Sequence, residues 1–430
     1  MTTMQPEVGT ASGGIAAPKT PFAATPREQA AALWMYPLAF LYIRMFDAPH
    51  GNALLAAFTL GFVALTEHLH RDAPRRKESW VWLGCVAALL ASVVFERGRA
   101  WDGDEPLLFL HVFAVWWALS RSGALLEGES GRMLPLDALD GFVLFPLEGF
   151  FLRLRTVGSL LAGLRGERRG EAAERETVLW SLVMSAAALG LLSLSFRLLL
   201  AADSGFAALL DGLRCFEWRL DEELFLDAVL SLPVGAWLYG LLDGTLRKDK
   251  TALRRRASAV EEQMELLRGV PERVWLVLLA LFCALYALFF AVQGRYLFGA
   301  FTRTLPEGFI VSEYARQGFF ELCGVMAVNF ALLWLVLRSS KTEVREQRAA
   351  RALCLVLLAE SLLLSVVALS KLALYIDCFG FTPKRLQSTW LVCVLAFGCG
   401  CCAWSLTRGG RTLRAWMIFG AVTLAGLCLY

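Results

Sequence analysis

Long apolar runs separated by short charged stretches constrain this chain more than any other feature. Each run holds about 15–25 residues, the length that a helix needs to cross roughly 30 Å of hydrocarbon. The chain is 57% hydrophobic and only 19% charged, whereas soluble domains carry about 25% charged residues. The sequence therefore predicts an all-α, polytopic transmembrane helix bundle. It excludes an outer-membrane barrel, with its alternating segments of about ten residues, and a nucleic-acid-binding protein, with its concentrated basic domain.

Eleven membrane spans follow from these runs, and the first four are the shortest. If one adjacent pair among them forms a re-entrant hairpin, the orientation of every later span is unchanged. The predicted spans are residues 30–46, 52–68, 80–95, 106–120, 178–202, 224–242, 274–290, 318–337, 352–370, 390–406 and 413–429.

The distribution of Lys and Arg predicts the orientation, because cationic loops stay on the cytoplasmic side of a membrane. Of the 42 Lys and Arg residues, 30 fall in alternate loops. This arrangement predicts a cytoplasmic N-terminus and an external C-terminus. The loops assigned to the cytoplasm are 1–29, 71–79, 121–176, 243–273, 338–351 and 407–414.

The same pattern divides the chain into four regions. Residues 1–29 are rich in Thr, Ala, Pro and Gly and are predicted to form a disordered tail. A four-span membrane region over 30–126 and an interfacial amphipathic segment over 127–176 come next. A seven-span membrane domain over 177–430 follows, and it carries a basic helical loop at 244–272.

Two of the cytoplasmic segments have amphipathic patterns. In the 127–176 segment, Arg153 and Arg155 stand among Phe and Leu residues, and we expect these arginines to reach anionic lipid at the cytoplasmic face. The second segment, 246–267, has apolar residues at heptad-like steps. It is interpreted either as a helix lying on the membrane or as a contact with a partner protein or a second copy. Its stripe consists of Leu246, Leu253, Ala257, Val260, Met264 and Leu267.

Charged side chains inside apolar runs mark the candidate functional residues. Glu360 interrupts a nearly apolar span, and a charge at that depth costs roughly 2.5–3.5 kcal/mol on insertion scales. Lys371 and Tyr375 follow on the same helix face. The candidate residues of an outward-facing polar vestibule are Arg197, Asp203, Arg316, Glu321, Asn329, Glu360, Lys371, Tyr375, Asp377 and Arg385. The alternative interpretation is a structural network of ion pairs that locks the bundle.

The sequence holds no motif that assigns a catalytic activity or a cofactor. The four His residues include no HExxH pair, and no nucleotide-binding glycine loop is present, so we expect no metal or cofactor, and an enzyme is not the leading class. The cluster formed by Cys399, Cys401 and Cys402 is typical of close helix packing. Cys215 and Cys378 both fall in predicted outer loops, which leaves a disulfide between them open.

Three short motifs resemble a known family. Residues 305–329 hold the element Tyr314-Ala315-Arg316, then Gly318-Phe319-Phe320 and Leu322, with Asn329 after it. A second element lies in 374–385, with Tyr375, Ile376, Gly380, Thr382 and Arg385, and a third, shorter one holds Ala202, Asp203 and Phe206. These motifs are similar to those of a family of uncharacterised bacterial inner-membrane proteins that is defined by a domain of unknown function. The resemblance implies a bacterial inner-membrane location and brings no activity, substrate or catalytic residue.

Three functions fit the sequence. The first is transport or permeation of a small or anionic solute through the bundle that holds Glu360, Arg316 and Lys371. The second is a membrane sensor, scaffold or assembly subunit with a fully paired core. The third is an intramembrane enzyme acting on a lipid-linked substrate, which requires two carboxylates near the outer headgroup level.

Overall fold

The computed structural model describes residues 24–47, 50–97, 101, 103–164, 222–302 and 311–430. Regular secondary structure in these ranges is helical, and a single bridge between Val270 and Ser340 is the one β-type pairing. The prediction of an all-α chain is confirmed for the described residues. The helices are α1 (Pro26–Arg44), α2 (Gly51–Leu69), α3 (Lys77–Val94), α4 (Glu105–Ser122), α5 (Leu134–Leu139), a π-helix (Asp140–Leu144), α6 (Phe145–Gly149), α7 (Leu152–Leu164), α8 (Glu222–Arg247), α9 (Lys250–Glu265), α10 (Glu272–Thr302), α11 (Val311–Ser339), α12 (Arg348–Phe379), α13 (Pro383–Arg408) and α14 (Thr412–Leu429).

Eight of the described helices are long and apolar enough to cross a membrane, so the chain is a multi-pass membrane protein. They are α2, α3 and α8, followed by α10 to α14. The predicted spans 30–46 and 106–120 coincide with helices α1 and α4, which are not among the eight. The predicted span 178–202 lies outside the described residues. The count of eleven and the orientation of the termini therefore remain predictions.

Local sequence explains where the first helix begins. Pro26 occupies the first turn of α1, where its missing N–H costs nothing. Thr25 and Glu28 form a reciprocal capping box, in which the Thr25 hydroxyl accepts from the Glu28 N–H and the Glu28 carboxylate accepts from the Thr25 N–H.

The first group of helices joins α1–α4 to α5–α8 around one apolar core. Helix α8 packs against α1 and α6, although the predicted division places it with the later spans. A Cβ atom at Gly240 of α8 would lie 2.5 Å from the Pro146 carbonyl oxygen and 3.0 Å from the Gly149 carbonyl carbon. Only glycine permits this approach of two backbones, which brings α6 directly onto α8.

The second group consists of α10, α11, α12 and α13. Helix α12 is its centre, since α10, α11 and α13 all pack against it. Its buried positions recur every three or four residues, as expected for a helix with one stripe facing its neighbours. They include Cys354, Leu357, Ser361, Leu364, Ser365, Ala368 and Lys371.

Helix α14 connects the two groups, because it packs against both α3 and α13. On the α13 side, Phe397 and Phe419 stack with ring centres 4.1 Å apart, and Trp390 Nε1 donates to Thr423 at 2.9 Å. On the α3 side, Arg414 Nε lies 3.2 Å from the Glu78 carboxylate. Aromatic and ionic contacts therefore hold α14 between the two groups of helices.

The segments that sequence assigns to the cytoplasm gather on one face of the bundle, which we call the basic face. Arg132 lies 3.4 Å from Glu261, and Arg414 lies 2.7 Å from Glu129, so distant loops meet there. Which side of the membrane this face occupies remains a prediction. The face consists of residues 70–77, 123–134, 248–271, 340–347 and 409–411.

The structure changes two expectations for the segments that sequence assigns to the cytoplasm. Arg153 does not reach out to lipid. It is 8% exposed, and its Nε donates to the Ala32 carbonyl at 3.0 Å, because α7 packs against α1 and α8. In the 246–267 stripe, Leu253 and Ala257 are buried against the core of their own chain, while Leu267 is 56% exposed. Self-association through this stripe remains a prediction, and only the exposed end of the stripe is accessible for it.

Candidate functional site

A chain of hydrogen bonds crosses the second helix group at the position of Asn329. Tyr286 Oη of α10 donates to Asn329 Oδ1 at 2.7 Å, and Asn329 Nδ2 donates to Ser361 Oγ of α12 at 2.8 Å. Ser361 Oγ in turn donates to the Leu357 carbonyl at 2.8 Å. Asn329 and Ser361 are each 1% exposed. These polar groups therefore join three membrane-length helices in an apolar environment.

Glu360 stands next to this chain and is only partly satisfied. It adjoins Ser361 in sequence, is half-buried, and has the Cys283 side chain of α10 beside it. Its Oε2 atom is buried and has no hydrogen-bond partner. A buried carboxylate oxygen without a partner is costly when it is ionised.

Lys371 lies further along α12 on the same stripe. The side chain is 2% exposed, and the charge of Glu321 on α11 acts on it. Eleven residues separate Glu360 from Lys371, which corresponds to about 16 Å along the helix axis.

The C-terminal end of α12 holds Tyr375 and Arg385 together. The Arg385 guanidinium carbon lies 3.9 Å from the centre of the Tyr375 ring, and Arg385 Nη1 donates to the Gly380 carbonyl. Gly380 has φ of +79°, a conformation that favours glycine at the end of a helix. The structure therefore holds the Arg385 side chain with an aromatic face and a carbonyl oxygen.

The remaining predicted site residues are not brought together by described contacts. Asp377 is exposed at the end of α12. Arg316 belongs to α11, but its side chain lies outside the described residues. Arg197 and Asp203 also lie outside the described residues. So does Cys215, and a disulfide between it and the exposed Cys378 therefore stays open.

Sequence reasoning missed a buried carboxylate on the basic face. Glu78 is 1% exposed and accepts hydrogen bonds from Trp82 Nε1 at 2.8 Å and from the Ser130 N–H at 3.2 Å, besides its ion pair with Arg414. Its place at the start of an apolar run is typical of a solvated headgroup-level charge. Apart from Trp82, its partners Ser130 and Arg414 are distant in sequence, so no local signal reveals them.

Arg121 is a second missed residue. It is 2% exposed at the end of α4, and its Nε donates to Glu67 Oε1 at 2.9 Å while its Nη2 donates to the His70 carbonyl at 2.8 Å. The same Glu67 also binds Arg75 at 2.8 Å. A buried guanidinium thus fixes the end of α2 to the end of α4.

A cluster of acidic residues lies where α5 meets the basic helix α9. Arg256 binds both carboxylate oxygens of Asp140, at 2.6 and 2.9 Å. Asp137 is 2% exposed, and its Oδ1 accepts from the Leu126 N–H at 2.7 Å while its Oδ2 has no partner. Burial raises the pKa of Asp137 to about 7, and the nearby charges of Asp140 and Glu127 act in the same direction.

The opposite end of the first helix group encloses a cavity of about 380 Å³. It lies where α1 and α3 end and where α2 and α4 begin, so four helices contribute to its wall. Its polar lining includes Asn52, Glu96, Arg97 and Asp104. None of these residues stands inside an apolar run, which is why the sequence did not single them out.

Comparison with known proteins identifies the family but no relative of known activity. No curated protein and no solved structure matches the chain. The family model described as Domain of unknown function (DUF4153) matches residues 30–430, which includes every described helix from α2 to α14. The chain therefore belongs to the DUF4153 family of proteins with a domain of unknown function.

Proposed function

We propose that this protein resides in the bacterial inner membrane and moves a small solute through the second helix group, with Glu360 binding the coupled proton or cation. The observation that carries this proposal is the buried, unpartnered Oε2 of Glu360 within a membrane-length helix. Ionisable residues at such depths mark ion and substrate pathways, because their cost is tolerated only where they exchange a charge. Glu360 lies 12 residues from the start of α12, about 18 Å along its axis.

The polar stripe of α12 supports a pathway rather than an isolated site. From Glu360 and Ser361 the stripe continues through Ser365, whose hydroxyl donates to the Ser361 carbonyl at 2.9 Å. Lys371 and Tyr375 lie beyond it toward the other end of the helix. A cation that enters at Tyr375 meets the positive charge of Lys371 before it reaches Glu360. This order of charges fits an anionic solute together with a proton that binds at Glu360.

The native Cys283 gives a direct test, because it lies beside Glu360. Ten of the 11 Cys are replaced so that only Cys283 remains, and a membrane-impermeant thiol reagent is applied to the folded protein in vesicles. A chain that retains only Cys354, which is 0% exposed in the same core, is the control. We expect Cys283 to be modified and Cys354 to be protected. Protection of both cysteines from both sides of the membrane contradicts a solvated pathway.

Flux provides the second part of the test. In proteoliposomes loaded with a pH-sensitive dye, we expect the wild-type protein to speed the collapse of a pH gradient and Glu360→Gln to abolish this effect. Glu272→Gln, at the start of α10, is the control and should behave as the wild type. Equal rates for Glu360→Gln and the wild type would exclude Glu360 as the proton-binding group.

A second function is favoured by the exposed end of α9. Leu266 and Leu267 are 85% and 56% exposed next to Arg268 on the basic face, a combination that suits anionic lipid or a partner protein. As a sensor or assembly subunit, the chain would use this end for docking. Leu267→Glu should then shift the oligomeric state measured by light scattering or release a co-purifying protein.

A further inference from the structure

The cavity at the ends of α1–α4 lies far from the Glu360 pathway and has the size of a ligand site. Its volume is about 380 Å³, and small-molecule pockets typically measure about 300–1,000 Å³. Helix α2 begins at the cavity and ends at His70 on the basic face, 19 residues later, which corresponds to about 28 Å. The cavity thus opens on the face opposite the basic face, at the level of lipid headgroups and water.

The polar wall of the cavity carries charges of both signs. Glu96 and Asp104 supply two carboxylates, and Arg97 supplies one guanidinium. Asn52 Nδ2 donates to Glu96 Oε1 at 3.5 Å, which connects the start of α2 with the end of α3. Two carboxylates against one guanidinium favour an ammonium group, while the planar guanidinium favours a phosphate or carboxylate.

The inner wall is apolar and offers no free polar group. Leu55 is 3% exposed, and Ser92 is 0% exposed, with its hydroxyl donating to the Leu89 carbonyl at 2.7 Å. Val93 and Leu107 complete this wall. A ligand that fits must therefore keep its charged ends at the rim and place a short alkyl segment inside.

The backbone just after α3 has an unusual conformation that holds the charged residues Glu96 and Arg97 side by side. Glu96 has φ of +49°, the only non-glycine residue with positive φ among the described residues. The Arg97 N–H donates to the Ser92 carbonyl at 2.7 Å, and the Glu96 N–H donates to the Val93 carbonyl at 3.2 Å. These bonds wrap the end of α3 so that Glu96 and Arg97 both line the cavity.

We propose that this cavity binds a zwitterion in which a short alkyl chain joins an ammonium group to a phosphate or carboxylate. Glu96 and Asp104 hold the ammonium group, and Arg97 holds the anionic group. The ethanolamine phosphate headgroup of a membrane lipid and a soluble zwitterion share this chemistry. The site is independent of the transport proposed for Glu360.

Binding is measured on the purified full chain after lipid removal, by native mass spectrometry and by thermal stabilisation. The lipid arm compares short-chain phosphatidylethanolamine with phosphatidylglycerol, and the soluble arm uses phosphoethanolamine. We expect the ethanolamine probes to bind, and Glu96→Gln and Arg97→Gln each to weaken that binding at least tenfold. Asp47→Asn, an exposed carboxylate in the neighbouring turn that does not line the cavity, should leave it unchanged.

The arms separate the sources of the ligand. Binding of phosphatidylethanolamine without phosphoethanolamine assigns the site to lipid, and binding of both assigns it to the shared headgroup. Equal binding of phosphatidylglycerol, insensitive to Glu96→Gln, overturns the proposal. The proposal is also overturned if neither ethanolamine probe binds to a chain whose melting temperature matches that of the untreated protein.

Discussion

The substitution Asp137→Asn tests whether a buried carboxylate makes the basic face sensitive to pH. The raised pKa means that folded Asp137 keeps its proton up to about pH 7. The exposed carboxyl of the locally unfolded segment loses its proton near its ordinary pKa of 3.8. Between these two values the folded segment binds one proton more than the unfolded segment. Its stability therefore falls as the pH rises, and it levels off once Asp137 ionises in the folded state.

The size of the effect follows from the two pKa values. A rise from 3.8 to about 7 is a difference of about three pKa units, and each unit corresponds to about 1.4 kcal/mol. The folded segment thus loses about 4 kcal/mol between about pH 4 and pH 8. Asn has nearly the shape of protonated Asp and cannot ionise, so the variant avoids this loss. Its advantage over the wild type should grow from near zero at about pH 4 to about 4 kcal/mol at about pH 8.

Hydrogen exchange at the Leu126 amide is the appropriate assay, because this N–H is bonded to Asp137 Oδ1. Protection is measured by mass spectrometry in nanodiscs across the pH range and corrected for the intrinsic exchange rate. An advantage of about 4 kcal/mol corresponds to roughly a thousandfold gain in protection. Glu262→Gln, an exposed carboxyl on α9, is the control and should follow the wild type. A difference between Asp137→Asn and wild type that does not change with pH refutes the reasoning.

Two further predictions concern packing and ion pairs, and both are measured as thermal unfolding in detergent followed by tryptophan fluorescence. Gly240→Ala should destabilise the folded protein by about 1–3 kcal/mol through overpacking. The control Gly324→Ala has open space at its Cβ and should be neutral or gain up to about 1 kcal/mol of stability. Equal effects of the two substitutions would contradict the close approach of α6 and α8. Arg121→Ala should cost about 1.5–3 kcal/mol because it removes buried, charge-assisted hydrogen bonds to Glu67 and to the His70 carbonyl. Arg75→Ala should cost at most about 1 kcal/mol because Arg75 is 47% exposed. Similar losses for the two arginine variants would show that burial does not decide the value of this pair.

Membrane helices and the grouping of loops could be predicted because both depend on local composition. The length of an apolar run shows whether it can span a membrane, and the charge of each loop can be read from its own residues. The candidates Asn329 and Lys371 were also found for this reason, since a polar residue inside an apolar run is visible without a partner. The structure places Asn329 in a buried hydrogen-bond chain and Lys371 near Glu321.

Residues with distant partners could not be found in this way. Glu78 and Arg121 stand at the ends of helices, where charges are ordinary, and their burial depends on loops that fold back from elsewhere in the chain. The contacts of Arg385 depend on the fold in a similar way. The turn at Gly380 brings its guanidinium over the Tyr375 ring. Sequence spacing gives the depth of a residue and does not give its neighbours.

The position of α14 between α3 and α13 has a consequence for the order of assembly. Helices α1–α13 all precede α14 in the chain, so during synthesis the two helix groups enter the membrane before the helix that connects them exists. Each group has its own apolar core and can form first. Until α14 inserts, Glu78 lacks the Arg414 partner, and the side of α3 that α14 covers has no helix against it. The contacts of α14 with α3 and α13 therefore form only after the helices of both groups have been synthesised.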